Sequence, residues 1–292
     1  MRLEGKRVLI TGAGSGIGRA LALEADRRGA IVGLCGRRPD ALSETLKLMS
    51  PGRKHIKLTG DLTVPHIRRN LSLLLADVWG RLDVLVNNAG VVSVGELEEL
   101  SDSALEAMMA TNLTTPLALI RELLPLLRAS APSRVVNVGS MFAEIPFPLF
   151  AAYSASKFGL RGASIALRRE LAHSGIGVTF AAPRATRTDA ATAFDELIEP
   201  MQMKLDDPAS VARQIWNGVE KDANAVYPRG PERFFVLVQR LFPHLVDKSL
   251  AKQLAAARAK RRVRMKPRLV AQRDIADDVA YRTSSRRGVA AR

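Results

Sequence analysis

A single cysteine, Cys35, among 292 residues excludes an internal disulfide framework and a cysteine-based zinc site. The four histidines, His55, His66, His173 and His244, have no ligand spacing, so no metal is expected. No stretch approaches the roughly 20 apolar residues of a membrane span. Nor is there a secretory signal: Arg7-Val8-Leu9-Ile10 leads straight into a glycine-rich turn, where a leader would carry its long apolar run. A cytoplasmic setting is expected.

Acid is scarce at one end of the chain. Residues 251–292 hold 13 Lys or Arg against 3 Asp, a net of +10 out of the whole chain's +15, so residues 1–250 carry only +5. The basic balance therefore belongs to a tail and says little about the chemistry of the main domain. That tail has Tyr281 as its one aromatic residue, so base stacking has little support and nucleic acid is not the expected partner. Phosphate attraction stays open.

What is there is a regular alternation of short aliphatic runs with helical stretches. Strands are expected at 7–11, 30–35, 55–59, 84–87, 134–138, 178–181 and a shorter one at 225–227. Helices are expected at 16–28, 40–49, 65–79, 102–128, 152–173 and 208–221. Such alternation implies an α/β fold: a doubly wound parallel sheet of the Rossmann type, about seven strands with helices on both faces. The pattern breaks after about Gly230. This divides the chain into a catalytic domain (1–230), an apolar or amphipathic extension (231–257) and a basic tail (258–292) that is disordered by composition.

The first strand runs into Thr11-Gly12-Ala13-Gly14-Ser15-Gly16-Ile17-Gly18 and then a helix. Glycines there allow a pyrophosphate to approach the backbone and meet the N–H groups of the helix start. The spacing is G-x-x-x-G-x-G, not the strict dinucleotide fingerprint; its position between strand and helix is what strengthens it. At the end of the second strand stand Gly36, Arg37 and Arg38, with Asp40 after Pro39. A carboxylate there favours a ribose 2′-hydroxyl and an arginine a 2′-phosphate. Asp40 also suits a helix start. Arg37 lies nearer the strand end, so NADP(H) is expected over NAD(H), with Arg38 either helping or merely solvated.

Tyr153 and Lys157 lie four residues apart on an expected helix and so share a face. A tyrosine of pKa about 10 is a poor base at neutral pH. A neighbouring ammonium stabilises the phenolate and lowers that pKa, which makes proton exchange with an alcohol feasible. Taken alone, the pair would be an ordinary helix-surface contact, and Ser140 at a strand end a turn residue or cap. Yet Thr11–Gly18, Asp61, Asn87-Asn88-Ala89-Gly90, Asn112, Ser140 and Tyr153-Ser154-Ala155-Ser156-Lys157 occur in order. Over roughly residues 4–228 the chain resembles the short-chain dehydrogenases/reductases.

That resemblance implies interconversion of a carbonyl and an alcohol by hydride transfer, with NADP(H) as cofactor. It makes Tyr153 the general acid/base, Ser140 a hydrogen-bonding partner of the substrate oxygen, and Lys157 a ligand of the nicotinamide ribose. Asn112 would help hold a water relay. Gly12, Ser15, Gly16, Ile17 and Gly18 would cradle the cofactor. Asp61 would contact adenine, Asn88 would lie beside the adenosine ribose, and Pro183 and Thr188 would frame the nicotinamide. A homodimer or homotetramer is also implied.

Two residues depart from the family pattern. Arg184 stands where a glycine usually follows Pro183, reshaping the pocket or carrying an anion-binding group, and Glu144 stands where a glycine is usual after Ala143. Between 188 and 207 an expected lid holds Phe194, Leu197, Ile198, Met201 and Met203; opposite lie Met141, Phe142, Ile145, Phe147 and Phe150. They suit a hydrophobic ketone, aldehyde or alcohol, or simply cover the core. The extension, Phe234–Val246 running into a basic stretch, fits packing on the domain or on a second subunit, or peripheral contact with an anionic membrane. A non-catalytic NADP(H)-binding regulator is the alternative class. Cys35 reads as a small core residue.

Overall fold

A computed structural model describes residues 1–260 together with 268–269. In chain order its elements are β1 (Arg7–Thr11), α1 (Gly16–Arg27), β2 (Ile31–Gly36), α2 (Pro39–Lys47), β3 (Ile56–Thr59), α3 (Pro65–Trp79), β4 (Val84–Asn87) and β5 (Ser93–Val94). Then follow α4 (Asp102–Met109), α5 (Thr115–Arg128), β6 (Ser133–Val138), α6 (Ala151–Glu170), β7 (Ile176–Ala181) and α7 (Asp195–Ile198). The last are α8 (Pro208–Glu220), β8 (Ala225–Val226), α9 (Glu232–Leu241), α10 (Pro243–Lys260) and β9 (Arg268–Leu269).

Among the described residues seven strands form one parallel sheet in the order β3-β2-β1-β4-β6-β7-β8. The pleat sends successive side chains to opposite faces, and both faces are covered, so the central strands are largely apolar. Val8 and Ile10 of β1 join Leu21, Ala22 and Trp216 from α1 and α8. Leu9, between them, joins Leu75, Trp79, Leu119 and Leu123 from α3 and α5. Each such side chain contributes about 1.5–3 kcal/mol by leaving water. The Trp216 indole also donates to the Leu21 carbonyl at 3.0 Å, fixing α8 on α1.

The chain winds outward through β2 and β3 on one side of β1 and through β4, β6, β7 and β8 on the other. The crevice between β1 and β4 is therefore the reversal point, where open α/β sheets bind ligands.

Two expectations need correction. The expected helix 102–128 is interrupted by a π turn at Ala110–Thr114, which carries Asn112 inward, where Val91 holds both ends of its amide. The extension is helical beyond its expected end at residue 257, since α10 runs to Lys260; Pro243 opens α10, so the break it causes falls between two helices. Of the expected disordered tail, all but 258–260 and 268–269 lies outside the described residues. No described helix is long and apolar enough to cross a membrane.

Candidate active site

At the carboxyl ends of the central strands opens a cleft of about 990 Å³. Gly12, Ser15, Gly16, Ile17 and Gly18 line its floor, with Gly14 beside them. The glycines are sterically required. A Cβ on Gly18 would stand 2.0 Å from the Gly12 carbonyl oxygen, and Gly12 itself has φ +66 with the Ala89 Cα only 2.9 Å from where its Cβ would be. The turn is tied to β4 through Asn88, whose side-chain amide donates to the Thr11 carbonyl at 3.0 Å. Its backbone N–H donates to the Thr11 hydroxyl at 2.9 Å. Exposed backbone N–H groups at the start of α1 make this cradle suited to a pyrophosphate.

Arg37 and Arg38 line one end of the cleft, and the Arg38 guanidinium donates to the Ser15 hydroxyl at 3.2 Å. Asp40 sits in the first turn of α2 and lines an adjoining depression instead. Asp61 also lines the cleft, but its carboxylate accepts from both the N–H and the hydroxyl of Thr63, at 2.9 and 2.8 Å, which fixes that loop. Thr188 closes over Gly16: a Cβ there would meet its methyl group at 2.9 Å.

Tyr153 and Lys157 reach the cleft from one face of α6, with the Lys157 Nζ 5.8 Å from the Tyr153 ring centre. The ammonium donates to the Val138 carbonyl at 3.1 Å, and burial lowers its pKa to about 8. Burial also pushes the Tyr153 hydroxyl up to about 12, opposed by a hydrogen bond with Ser140. The lowering expected from Lys157 is not found in the protein alone: removal from water is the leading cause, and the one opposing contact is with Ser140. Ser140, at the end of β6, accepts from the Phe142 N–H at 3.1 Å and so also caps the short turn Met141–Ala143. Asn112 lies fully buried behind them, donating to the Ser156 hydroxyl at 3.0 Å.

The Pro183 carbonyl accepts from the Met141 N–H at 3.0 Å, tying the segment after β7 to the turn that follows Ser140. Other residues are placed differently from expectation. Arg184 is no open anion-binding group, because Asp206 grips its guanidinium at 3.0 and 2.8 Å and Glu232 pairs with it as well. Glu144 is buried and meets Arg161, Arg240 at 3.0 Å and the Tyr227 hydroxyl at 2.7 Å. The expected pocket side divides in two. Phe142, Phe147 and Phe150 cluster beside Tyr153 with Phe194, Leu197 and Met201 of the expected lid. Met141 and Ile145 pack instead with Val236 of α9. Leu197 and Met201 are buried, so this part of the lid is core. The thiol of Cys35 is buried and pushed up to about 12, consistent with a packing role.

Sequence reasoning missed a buried polar ladder. Asn87 donates to Asn137 at 2.9 Å, and Asn137 to Ser164 at 2.9 Å, linking β4, β6 and α6 behind the site. It also missed Gly139, where a Cβ would stand 2.1 Å from the Phe180 ring. Their partners come from distant strands, which no local spacing reveals.

A parallel sheet with a glycine cradle at its reversal point and a Ser-Tyr-Lys group beside it, its tyrosine half-buried, defines a nucleotide-binding α/β protein. The family model for the short chain dehydrogenases matches residues 6–198, and the chain belongs to that family. It is 30% identical to the 3-oxoacyl-[acyl-carrier-protein] reductase FabG of Vibrio cholerae over 74% of this chain and 90% of that protein. A short chain dehydrogenase of Burkholderia cenocepacia, solved in complex with NADP, is 28% identical and superposes with a TM-score of 0.70 over 77% of this chain and 96% of that one. One from Burkholderia phymatum, solved with NAD, shares the fold at 22% identity and a TM-score of 0.74, over 84% and 96%.

Proposed function

We propose that the chain is an NADP(H)-dependent oxidoreductase that interconverts a hydrophobic ketone or aldehyde and its alcohol. The observation that carries this reading is that Tyr153 and Lys157 line the glycine cleft together, with Ser140 hydrogen-bonded to Tyr153. The cleft fits a dinucleotide: Gly12, Ser15, Gly16, Ile17 and Gly18 would hold the pyrophosphate, and Asp61 and Asn88 would flank the adenosine. Lys157 would bind the second ribose, with Thr188 over the nicotinamide. Arg37 and Arg38 support NADP(H), since guanidinium groups match a 2′-phosphate and Asp40 is held at a helix start. The cofactor, when bound, supplies or accepts the hydride.

In reduction the Tyr153 hydroxyl, protonated at neutral pH as a phenol ordinarily is, gives its proton to the developing alkoxide. The Lys157 ammonium then stabilises the phenolate left behind. Ser140 orients the substrate oxygen through a hydrogen bond, and Asn112 holds the π turn against Val91 and Ser156 behind the site. The aromatic cluster of Phe142, Phe147, Phe150 and Phe194 supports an apolar substrate, as does the acyl substrate in the name of the Vibrio relative. Residues 1–230 would be the catalytic domain, 231–257 the extension and 258–292 the tail, in a cytoplasmic homodimer or homotetramer.

The test is turnover with NADPH and NADH against hydrophobic 3-oxo esters, ketones and aldehydes. NADPH should be preferred, and Arg37→Ala should cut that preference about tenfold, as loss of one charge-assisted contact would. Preference for NADH would overturn the cofactor assignment. Tight NADPH binding without turnover of any carbonyl would favour the regulator.

A further inference from the structure

Helix α9 is mounted inside out. An amphipathic helix ordinarily buries its apolar stripe and turns its charges to water. Here Phe234, Leu237 and Leu241, at i, i+3 and i+7, share one face and are 63%, 52% and 61% exposed. Phe235, Phe242 and Leu245 extend the exposed apolar surface into α10. The face turned to the protein instead carries Glu232, which pairs with Arg184, and Arg240, which pairs with Glu144 at 3.0 Å. Only Val236 of α9 is fully buried. Arg184, which Asp206 also grips, and Glu144, which also meets Arg161 and Tyr227, each give α9 one of its two charged attachments.

We propose that this face docks on the surface of an anionic phospholipid bilayer, with Glu144 and Arg184 as the residues that position it. Charge complementarity selects that occupant. Arg233 and Lys248 are exposed on the same two helices, and residues 251–292, the exposed Lys252 among them, add a net of +10. Apolar side chains beside clustered cations match an acyl boundary beneath acidic headgroups. A second copy of the chain fits less well, since a symmetric contact would bring two strongly basic segments together. Through Leu254, α10 connects the docking face to the aromatic cluster beside Tyr153.

The experiment is co-sedimentation of the full chain with vesicles of phosphatidylglycerol and phosphatidylcholine, or of phosphatidylcholine alone. It is run for the native protein and for the triple variant Phe234→Ser, Leu237→Ser, Leu241→Ser, with melting temperature and solution mass measured in parallel. Binding to the acidic vesicles is expected, and the variant should partition about a hundredfold more weakly, with its melting temperature retained. No affinity of the native chain for acidic vesicles would overturn the proposal. So would binding that high salt abolishes but the variant keeps, which assigns it to the tail's charge alone. Loss of a dimer in the variant, without vesicle binding by either protein, would give the face to a second copy. A lower melting temperature in the variant, again without vesicle binding, would give it to the chain's own residues.

Discussion

Helices α6 and α9 both turn polar residues inward, to different ends. α6 buries Ser156, Lys157 and Ser164 against the sheet, where Asn112, the Val138 carbonyl and Asn137 partner them. α9 buries Val236 alone and is held by charged ends, Glu232 and Arg240. Inward polarity therefore means two things in one molecule. On α6 it builds a site, because a buried ammonium and hydroxyl in low dielectric interact strongly with a reacting group. On α9 it is a mounting, and the apolar stripe is left for something outside the chain. Ion pairs with partly exposed members hold less firmly than a packed apolar face. α9 should accordingly open more readily than α6.

The sharpest way to break this contrast is Tyr153→Phe. Removing the proton donor should lower carbonyl reduction about 10³-fold while NADPH binding, followed by fluorescence titration, stays close to native. A variant that keeps most of its activity would strip α6 of its chemical role. Next comes Gly18→Ala, whose new methyl group would stand 2.0 Å from the Gly12 oxygen and 2.5 Å from the Asn88 amide. It should cost about 3 kcal/mol in thermal unfolding and weaken nucleotide binding with it. Unchanged melting would mean that the turn is looser than its geometry.

Glu144→Gln tests the other helix. It removes a buried charge shared by Arg161 and Arg240 and should destabilise by about 1–3 kcal/mol. Hydrogen exchange should accelerate across residues 232–241 and leave α6 protected; equal acceleration in both helices would deny Glu144 its special hold on α9. The smallest effect is on pH dependence. Burial lowers Lys157 to about 8, so the cation is present below that value and lost above it. Reduction should fall a few-fold between about pH 7 and about pH 9, and Lys157→Arg, which stays charged, should remove the step. A rate indifferent to pH in that window would show that the ammonium plays no part.

Much of the central sheet and the cradle was legible from residue order. Val84-Leu85-Val86 announces a strand covered on both faces, and Gly12 to Gly18 after β1 announces a phosphate turn. Tyr153 and Lys157 needed only helical spacing to be placed on one face. Less was legible at Asn112, where an apparently unbroken helical pattern hides a π turn, because the amide's partner, Val91, is 21 residues away. The same holds for Arg184 and Glu144. Read locally, one resembled an anion site and the other an unexplained change. Their partners, at positions 206 and 232 and at 161 and 240, lie on separate elements.

The sequence by itself determined the α/β class, the cradle's position and which side chains are candidates for the chemistry, since each depends on short-range periodicity or on residue chemistry. Tertiary structure alone decided that burial raises the Tyr153 hydroxyl, that Arg184 and Glu144 are taken up in ion pairs, and that α9 presents its apolar face outward. Those outcomes depend on solvent exclusion and on charge partners brought together from distant parts of the chain, and neither quantity exists until the chain is folded.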